Sequence, residues 1–162
     1  MSRLYLIRHG KTEANLRHRY CGTTDLPLSE AGREELKGLH YEISNVRFLT
    51  SGMLRTEQTL AALFGDVPHE KRPAFREVDF GIFEMHTYEE LENDPAYLDW
   101  ITGDNMANVP PKGESGNQML ARILAALPEL MREDTVLVTH GIFSRRGIRA
   151  AISGSPNPGM GI

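Results

Sequence analysis

The sequence predicts an α/β protein, a three-layer sandwich whose mostly parallel sheet is flanked by helices. Two apolar runs, at 4–7 and 135–139, are typical of strands that are buried on both faces. Segments with helical spacing of apolar residues lie between the strands, so strand and helix alternate along the chain. Both runs lead into a His-Gly pair, and ligands in such folds bind beyond the carboxyl ends of the strands.

The composition indicates one globular domain over residues 1–162. Hydrophobic residues make up 40% and charged residues 25% of the sequence. A chain of this length can bury a hydrophobic core without the help of disulfide bonds or structural metals. A net charge of −4 argues against general nucleic-acid binding, and no apolar run approaches the length of a membrane span. Cys21 is the one cysteine and no signal peptide is visible, so we expect a cytoplasmic protein without disulfides, either a monomer or a homodimer.

The first elements follow from local signals. A polar, basic loop is expected over 11–24. Ser29 is a candidate N-cap for a helix on which Leu36 and Leu39 share a face. A second strand is expected over 46–50.

A helix is predicted over about 53–64, with Arg55 in its first turn. A cation at that end opposes the helix dipole unless an anion lies nearby. We therefore consider Arg55 a candidate anion ligand.

The rest of the chain is more mixed. The segment 65–74 is expected to be irregular, and 75–84 is neither a clean strand nor a clean helix. The best amphipathic helix spans 114–131, where the stripe from Met119 to Leu127 is expected to be core and Pro128 to break or kink the helix. Further predicted elements are short helices at 87–93 and 94–102 and a helix at 142–153 that carries Arg145, Arg146 and Arg149.

Three strand ends would bring similar chemistry to one edge of the sheet. Arg8 and His9 follow the first strand, Arg55 follows the second, and His140 follows the last. The planar fork of arginine donates paired hydrogen bonds to a phosphate, and histidine can act as a nucleophile or a proton carrier. The set predicts an anion cage with a nucleophile inside it.

These residues belong to longer motifs that resemble the histidine phosphatase superfamily, the branch that includes cofactor-dependent phosphoglycerate mutases. The resemblance covers about residues 4 to 150. The motifs are Leu6-Ile7-Arg8-His9-Gly10 with Thr12 and Asn15, Tyr20-x-Gly22, Asp25-x-Pro27-Leu28-Ser29-x-x-Gly32, Thr50-Ser51-x-x-x-Arg55-Thr56-x-x-Thr59, Arg76-Glu77-x-Asp79-Phe80-Gly81-x-Phe83-Glu84, Gly113-Glu114-Ser115 and Val138-Thr139-His140-Gly141.

The resemblance implies a phosphoglycerate mutase-like fold and a covalent mechanism. His9 would be the nucleophile, with its phosphoryl oxygens held by Arg8, Arg55 and His140. Glu77 would donate and accept the proton, with Asp79 and Glu84 as rivals in the same segment. The resemblance implies neither a metal nor a cofactor. Residues that would line the substrate pocket are Asn15, Cys21, Gly22 and Gly141.

The same resemblance implies the kind of substrate, a small phosphorylated metabolite. A chain of 162 residues is similar to the small phosphatases, because the mutases carry extra segments over the site. The segment 79–85, with Tyr97, Trp100, Val109 and Pro110, is similar to the α-ribazole phosphatases of cobalamin biosynthesis. Two alternatives stay open: phosphoryl transfer of the phosphoglycerate mutase type, and a non-catalytic relative that only binds phosphorylated ligands.

The chain departs from the family pattern in three ways. Lys11 stands where an acid is usual, and Met85 stands where many members have glycine. Relatives continue for longer after the second His-Gly pair, whereas the segment 154–159 is rich in proline and glycine. One expectation is therefore a sheet that lacks the last C-terminal strand.

Overall fold

A computed structural model of the chain describes residues 2–104 and 106–141, and these contain a four-stranded parallel sheet. Its order is β1-β4-β2-β3, and every neighbouring pair is parallel. The three predicted strands are confirmed, whereas β3, in a segment expected to be irregular, is too short to have left a pattern. The strands are β1 (Leu4–Arg8), β2 (Arg47–Thr50), β3 (Glu70–Lys71) and β4 (Thr135–Thr139).

Five of the six α-helices in the described residues begin at capping side chains, and the helix Leu54–Phe64 begins at Met53 without one. Ser29 accepts a hydrogen bond from the Gly32 amide, so the predicted cap is confirmed, and Ser115 likewise begins the long C-terminal helix. The helices are α1 (Glu13–Leu16), α2 (Glu30–Leu36), α3 (Leu54–Phe64), α4 (Tyr88–Leu91), α5 (Pro95–Ile101) and α6 (Gly116–Leu130), and 3-10 turns occupy Pro73–Phe75 and Gly81–Phe83.

The sheet separates two apolar clusters. Because side chains alternate along a strand, Leu137 of β4 faces one side, where it packs with residues of α4, α5 and α6. Val136 and Val138 face the other side and pack against Leu60, Leu63 and other residues of α3. Helices therefore cover both faces, and the three-layer α/β architecture is confirmed.

Some local expectations were wrong. The segment 11–24 is not all loop, because Thr12 and Asn15 form a capping box that starts α1. Helix α2 ends at Leu36, so Leu39 lies beyond it and is exposed.

The long helix also differs in two respects from its prediction. Pro128 does not break α6, which continues to Leu130, and the proline lies on the exposed side of the helix. Leu124 was expected in the core stripe, yet it is 40% exposed, whereas Met119 and Ile123 are buried.

Other expectations fall outside the described residues. These are the helix at 142–153 with Arg145, Arg146 and Arg149, and the tail whose composition argued against a last strand. Within residues 2–104 and 106–141, no helix combines the length and the apolar character needed to cross a bilayer.

Four non-glycine residues of the described chain have positive φ, and Met85 and Lys112 are two of them. Met85 has φ 65°, which explains why glycine suits this position, and its amide donates to the Tyr20 carbonyl. Lys112 has φ 61° and is exposed, beside the close approach between Gly81 and the Pro111 carbonyl. Both residues carry backbone strain.

We expect the substitution Lys112→Gly to raise the free energy of unfolding by about 1 kcal/mol, because glycine adopts a positive φ without a Cβ clash. Lys112→Val should lower it, since a β-branched residue is least tolerated there. Urea denaturation of both variants measures the change. Equal stability of the glycine and valine variants would contradict the strain.

Candidate active site

The carboxyl ends of three adjacent strands meet at one edge of the sheet. Arg8 lies opposite Thr139 in the register of β1 and β4, and the His9 amide donates to the Thr139 carbonyl at 2.9 Å. His140 directly follows β4, and the centroid of its ring lies 5.1 Å from that of the His9 ring. The predicted convergence of the two histidines is confirmed.

The state of the His9 ring follows from one hydrogen bond. Its Nδ1 lies 2.6 Å from the Gly10 carbonyl, which can only accept, so Nδ1 carries the hydrogen. Burial, together with the charges of Arg55 and Arg8, lowers the pKa of His9 to about 4. At neutral pH the ring is therefore neutral, and its lone pair lies on Nε2.

His140 is buried and neutral as well. Its pKa is lowered to about 2, chiefly by burial and next by the charge of Arg55. Its Nε2 lies 2.8 Å from the Ser51 hydroxyl, while its Nδ1 is buried with no partner in the described part of the chain. An unsatisfied polar atom of this kind calls for a ligand or a water.

Ser51 can decide which nitrogen of His140 carries the hydrogen. The Thr56 hydroxyl donates to the Met53 carbonyl, so Ser51 gives its single hydrogen either to Thr56 at 3.2 Å or to His140 at 2.8 Å. The shorter contact favours His140. In that arrangement the hydrogen of His140 lies on Nδ1, where it can donate to a bound anion.

Arg55 places a buried positive charge beside these rings. Only 1% of it is exposed, and its guanidinium donates to the carbonyls of Gly22 at 2.8 Å and Thr24 at 3.0 Å. Among residues 2–104 and 106–141, no carboxylate pairs with it, whereas the less buried Arg47 and Arg122 each pair with glutamate. A buried cation without a counter-charge is what an anion site requires.

Arg55 and the His9 loop are tied together by Thr59. The Gly10 amide donates to the Thr59 hydroxyl at 2.9 Å, and that hydroxyl donates to the Arg55 carbonyl at 2.7 Å. Helix α3 therefore holds the backbone next to His9.

Arg8 lies against the second His-Gly pair. A Cβ added to Gly141 would come within 3.0 Å of the Arg8 guanidinium carbon, so the absence of a side chain leaves room for this arginine. Arg8 is exposed and, within the described residues, no carboxylate pairs with it. Two arginine charges are thus left for an anion.

The acidic segment contains three carboxylates with different surroundings. Glu84 accepts hydrogen bonds from the amides of Gly22, Thr23, Thr24 and Phe80 and from the Thr24 hydroxyl. Asp79 accepts from the Gly81 amide and the Thr23 hydroxyl.

Glu77 accepts one bond within the described residues, from the Val78 amide at 3.0 Å. Burial raises the pKa of Glu77, although the nearby charges of Arg55 and Arg8 oppose the shift. A carboxyl with a raised pKa and few partners suits proton transfer, whereas Glu84 and Asp79 are engaged in structure.

The expected pocket residues have less uniform surroundings. The side-chain oxygen of Asn15 is taken by Thr12, so its Nδ2 amide remains for a ligand. Both backbone groups of Gly22 are occupied, the amide by Glu84 and the carbonyl by Arg55. Cys21 is half-buried with a raised pKa, chiefly because of burial, and its thiol lies 3.5 Å from the Thr24 carbonyl.

Sequence reasoning did not assign three residues that organise the site. Ser51 could have been found, since it directly follows β2 at the same edge as His140. Thr59 lies one helical turn after Arg55, on the same face. The role of Arg122 was missed because the three backbone carbonyls that it binds lie 45 to 48 residues earlier in the chain.

Comparison with known proteins gives a family match over nearly the whole chain. Residues 4–160 match the model described as the histidine phosphatase superfamily (branch 1). Over 141 residues the chain is 40% identical to human 6-phosphofructo-2-kinase/fructose-2,6-bisphosphatase 4 and 38% identical to mouse 6-phosphofructo-2-kinase/fructose-2,6-bisphosphatase 1. Each match covers 83% of this chain but only 29% of the relative.

Solved structures give the same picture. The crystal structure of a candidate alpha-ribazole-5'-P phosphatase from Escherichia coli is 29% identical, with a TM-score of 0.81 over 96% of this chain and 81% of that chain. Phosphoglycerate mutase from Thermus thermophilus is 29% identical, with a TM-score of 0.72 over 98% and 86% of the two chains.

We expect Glu84→Gln to lower the free energy of unfolding by about 3 kcal/mol, because the amide replaces a charged acceptor of several backbone bonds. The matched control is Glu90→Gln, since that glutamate is exposed and pairs with Arg19 at the surface. It should cost much less, because ion pairs exposed to water contribute little to stability. Denaturant melts measure both, and equal losses would contradict the central role of Glu84.

Proposed function

The chain belongs to the histidine phosphatase superfamily, and on that premise we propose that it hydrolyses a small phosphate monoester through a phosphohistidine at His9. One observation carries the proposal: the buried guanidinium of Arg55, which pairs with no carboxylate of residues 2–104 and 106–141, lies beside a histidine that is neutral at neutral pH. The cation attracts the phosphate, and the neutral ring supplies the lone pair that attacks it.

In the first step Nε2 of His9 attacks phosphorus, and the bond between phosphorus and the ester oxygen breaks. Arg8, Arg55 and Nδ1 of His140 would donate hydrogen bonds to the phosphoryl oxygens and balance their charge in the transition state. Glu77 gives its proton to the departing alkoxide, which leaves as an alcohol. The burial that raises the pKa of Glu77 keeps that proton available.

In the second step water attacks the phosphohistidine. The Glu77 carboxylate takes one proton from that water, the bond between Nε2 and phosphorus breaks, and inorganic phosphate leaves with His9 restored. The arginine charges do the work that a metal ion does in other phosphatases, so we expect activity to persist in a chelator.

For the ester we propose α-ribazole 5′-phosphate first, supported by the Escherichia coli neighbour. Fructose 2,6-bisphosphate is the second candidate, because the curated relatives carry fructose-2,6-bisphosphatase in their names. A panel of both esters and 3-phosphoglycerate separates these substrates. Isomerisation of 3-phosphoglycerate without release of phosphate would instead favour a mutase, to which the Thermus thermophilus structure is similar.

The substitution His9→Ala should abolish turnover while leaving phosphate-ester binding within about threefold, because the arginines of the cage remain. Wild-type protein quenched during turnover should carry an acid-labile phosphoryl group that the variant lacks. Calorimetric binding and labelling with radioactive phosphate measure the two effects. Turnover in the variant, or turnover of wild type without a phosphoenzyme, would exclude the covalent step, and binding without any turnover in wild type would indicate a phospho-ligand-binding relative.

We expect a bell-shaped pH profile of kcat/KM. The rate falls at low pH, as His9 gains a proton near its pKa of about 4 and loses its lone pair. It falls again at higher pH, as Glu77 loses its proton above its raised pKa.

Glu77→Gln should lower kcat about 100-fold or more and remove the high-pH fall that belongs to Glu77. Comparing the variant with wild type on one ester cancels the ionisation of the substrate. A high-pH limb that is unchanged in the variant would assign it to another group.

A further inference from the structure

Arg122 of α6 uses every hydrogen-bond donor that its side chain has. A guanidinium carries five N–H groups. Two of the five in Arg122 bind the Glu114 carboxylate, from Nε at 2.7 Å and from Nη2 at 2.8 Å. The other three bind the backbone carbonyls of Ala74 at 2.7 Å, Arg76 at 2.9 Å and Glu77 at 3.0 Å.

Because all its N–H donors are used, Arg122 differs from the arginines of the proposed anion cage. Arg55 donates to two carbonyls and keeps the rest of its fork for a ligand. Arg122 has no donor left over, so it cannot bind substrate without giving up a bond it already makes. The role of Arg122 must therefore lie in the backbone carbonyls that it binds.

Arg122 holds the stretch of backbone that ends at Glu77. That stretch follows the 3-10 turn at Pro73–Phe75, and the Thr139 hydroxyl of β4 also donates to the Phe75 carbonyl at 2.8 Å. Within the described residues, the Glu77 carboxylate accepts a bond only from the adjacent Val78 amide. Glu114 orients the guanidinium, and α6, capped by Ser115, orients Arg122.

We propose that Arg122 is a positioning residue for Glu77, which it holds through the carbonyls of Ala74, Arg76 and Glu77. The proposal rests on the proposed function, in which Glu77 protonates the leaving alcohol. Arg122 touches neither the phosphate nor the leaving group, so its loss should act on proton transfer and leave the phosphate cage in place.

Leaving-group dependence tests this role. p-Nitrophenolate leaves without needing a proton, whereas the alkoxide of benzyl phosphate needs one, and the two esters are similar in shape. A displaced acid therefore slows benzyl phosphate far more than p-nitrophenyl phosphate. We expect Arg122→Met to lower kcat/KM about 100-fold on benzyl phosphate and less than about fivefold on p-nitrophenyl phosphate. The comparison uses kcat/KM because this constant reports the step in which the alcohol leaves, and not the later attack of water, which also uses Glu77 and is common to both esters.

Two further variants separate geometry, charge and folding. Arg122→Lys keeps the charge but has three donors and no fork, so it should lose about 10-fold on benzyl phosphate and remain folded. Arg47→Met is the matched control, because Arg47 is also a partly buried arginine paired with glutamates, at the opposite end of β2 from the site. Arg47→Met should change kcat/KM by the same factor for both esters.

The titration of Glu77 gives a readout that needs no turnover. The charges acting on it are those of Arg55, Arg8 and Arg122, and all three lower its pKa against the effect of burial. Carboxyl NMR should therefore show a higher Glu77 pKa in Arg122→Met than in wild type, and an unchanged one in Arg122→Lys.

The outcomes decide the proposal in both directions. Equal slowing of the two esters by Arg122→Met and Arg122→Lys, or an unchanged Glu77 pKa in the methionine variant, would overturn it. In a Glu77→Gln background, Arg122→Met should add nothing to the difference between the esters. If wild-type protein forms no phosphoenzyme, the proposed function is refuted instead. The Glu77 titration would still report whether Arg122 acts on that carboxyl group.

Discussion

The site depends on how the buried charge of Arg55 is held. Its guanidinium donates to the carbonyls of Gly22 and Thr24, and the amides of the same short segment donate to the Glu84 carboxylate. A carboxylate in direct contact would have cancelled the charge of Arg55, whereas carbonyls fix its position and leave the charge in place. Glu84 lies on the amide side of the segment 22–24, so its negative charge stabilises that segment and does not pair with Arg55.

The protonation states of both histidines follow from that arrangement. Burial lowers the pKa of His9 and of His140, and the uncancelled charge of Arg55 lowers each further. A neutral His9 keeps the lone pair that a nucleophile needs, and a neutral His140 can still donate one hydrogen bond. In the proposed mechanism, the same residue that would attract the phosphate also keeps the nitrogen of the proposed nucleophile unprotonated, so the two requirements of the chemistry do not compete.

The sequence was informative wherever chemistry directly follows a strand. Arg8, His9 and His140 could be predicted to converge because the carboxyl ends of parallel strands share an edge, and apolar runs mark the strands. β3 could not be predicted, because two residues carry no period. Arg122 could not be assigned either: its three carbonyl partners have no side-chain signature, and only the packing of α6 against the turn at Pro73–Phe75 brings them together.

The three acids between Glu77 and Glu84 illustrate what contacts add to a motif. All three are candidates from sequence, because a carboxyl in the right segment is all that a motif can specify. A proton carrier must gain and lose its hydrogen during each turnover, and every N–H that points at a carboxylate favours the charged form. Within the described part of the chain, Glu84 receives bonds from four backbone amides and a hydroxyl, Asp79 from an amide and a hydroxyl, and Glu77 from a single amide. The Glu77 backbone carbonyl accepts a hydrogen bond from Arg122 instead, and in our proposal this bond positions the carboxyl group without committing it to either protonation state.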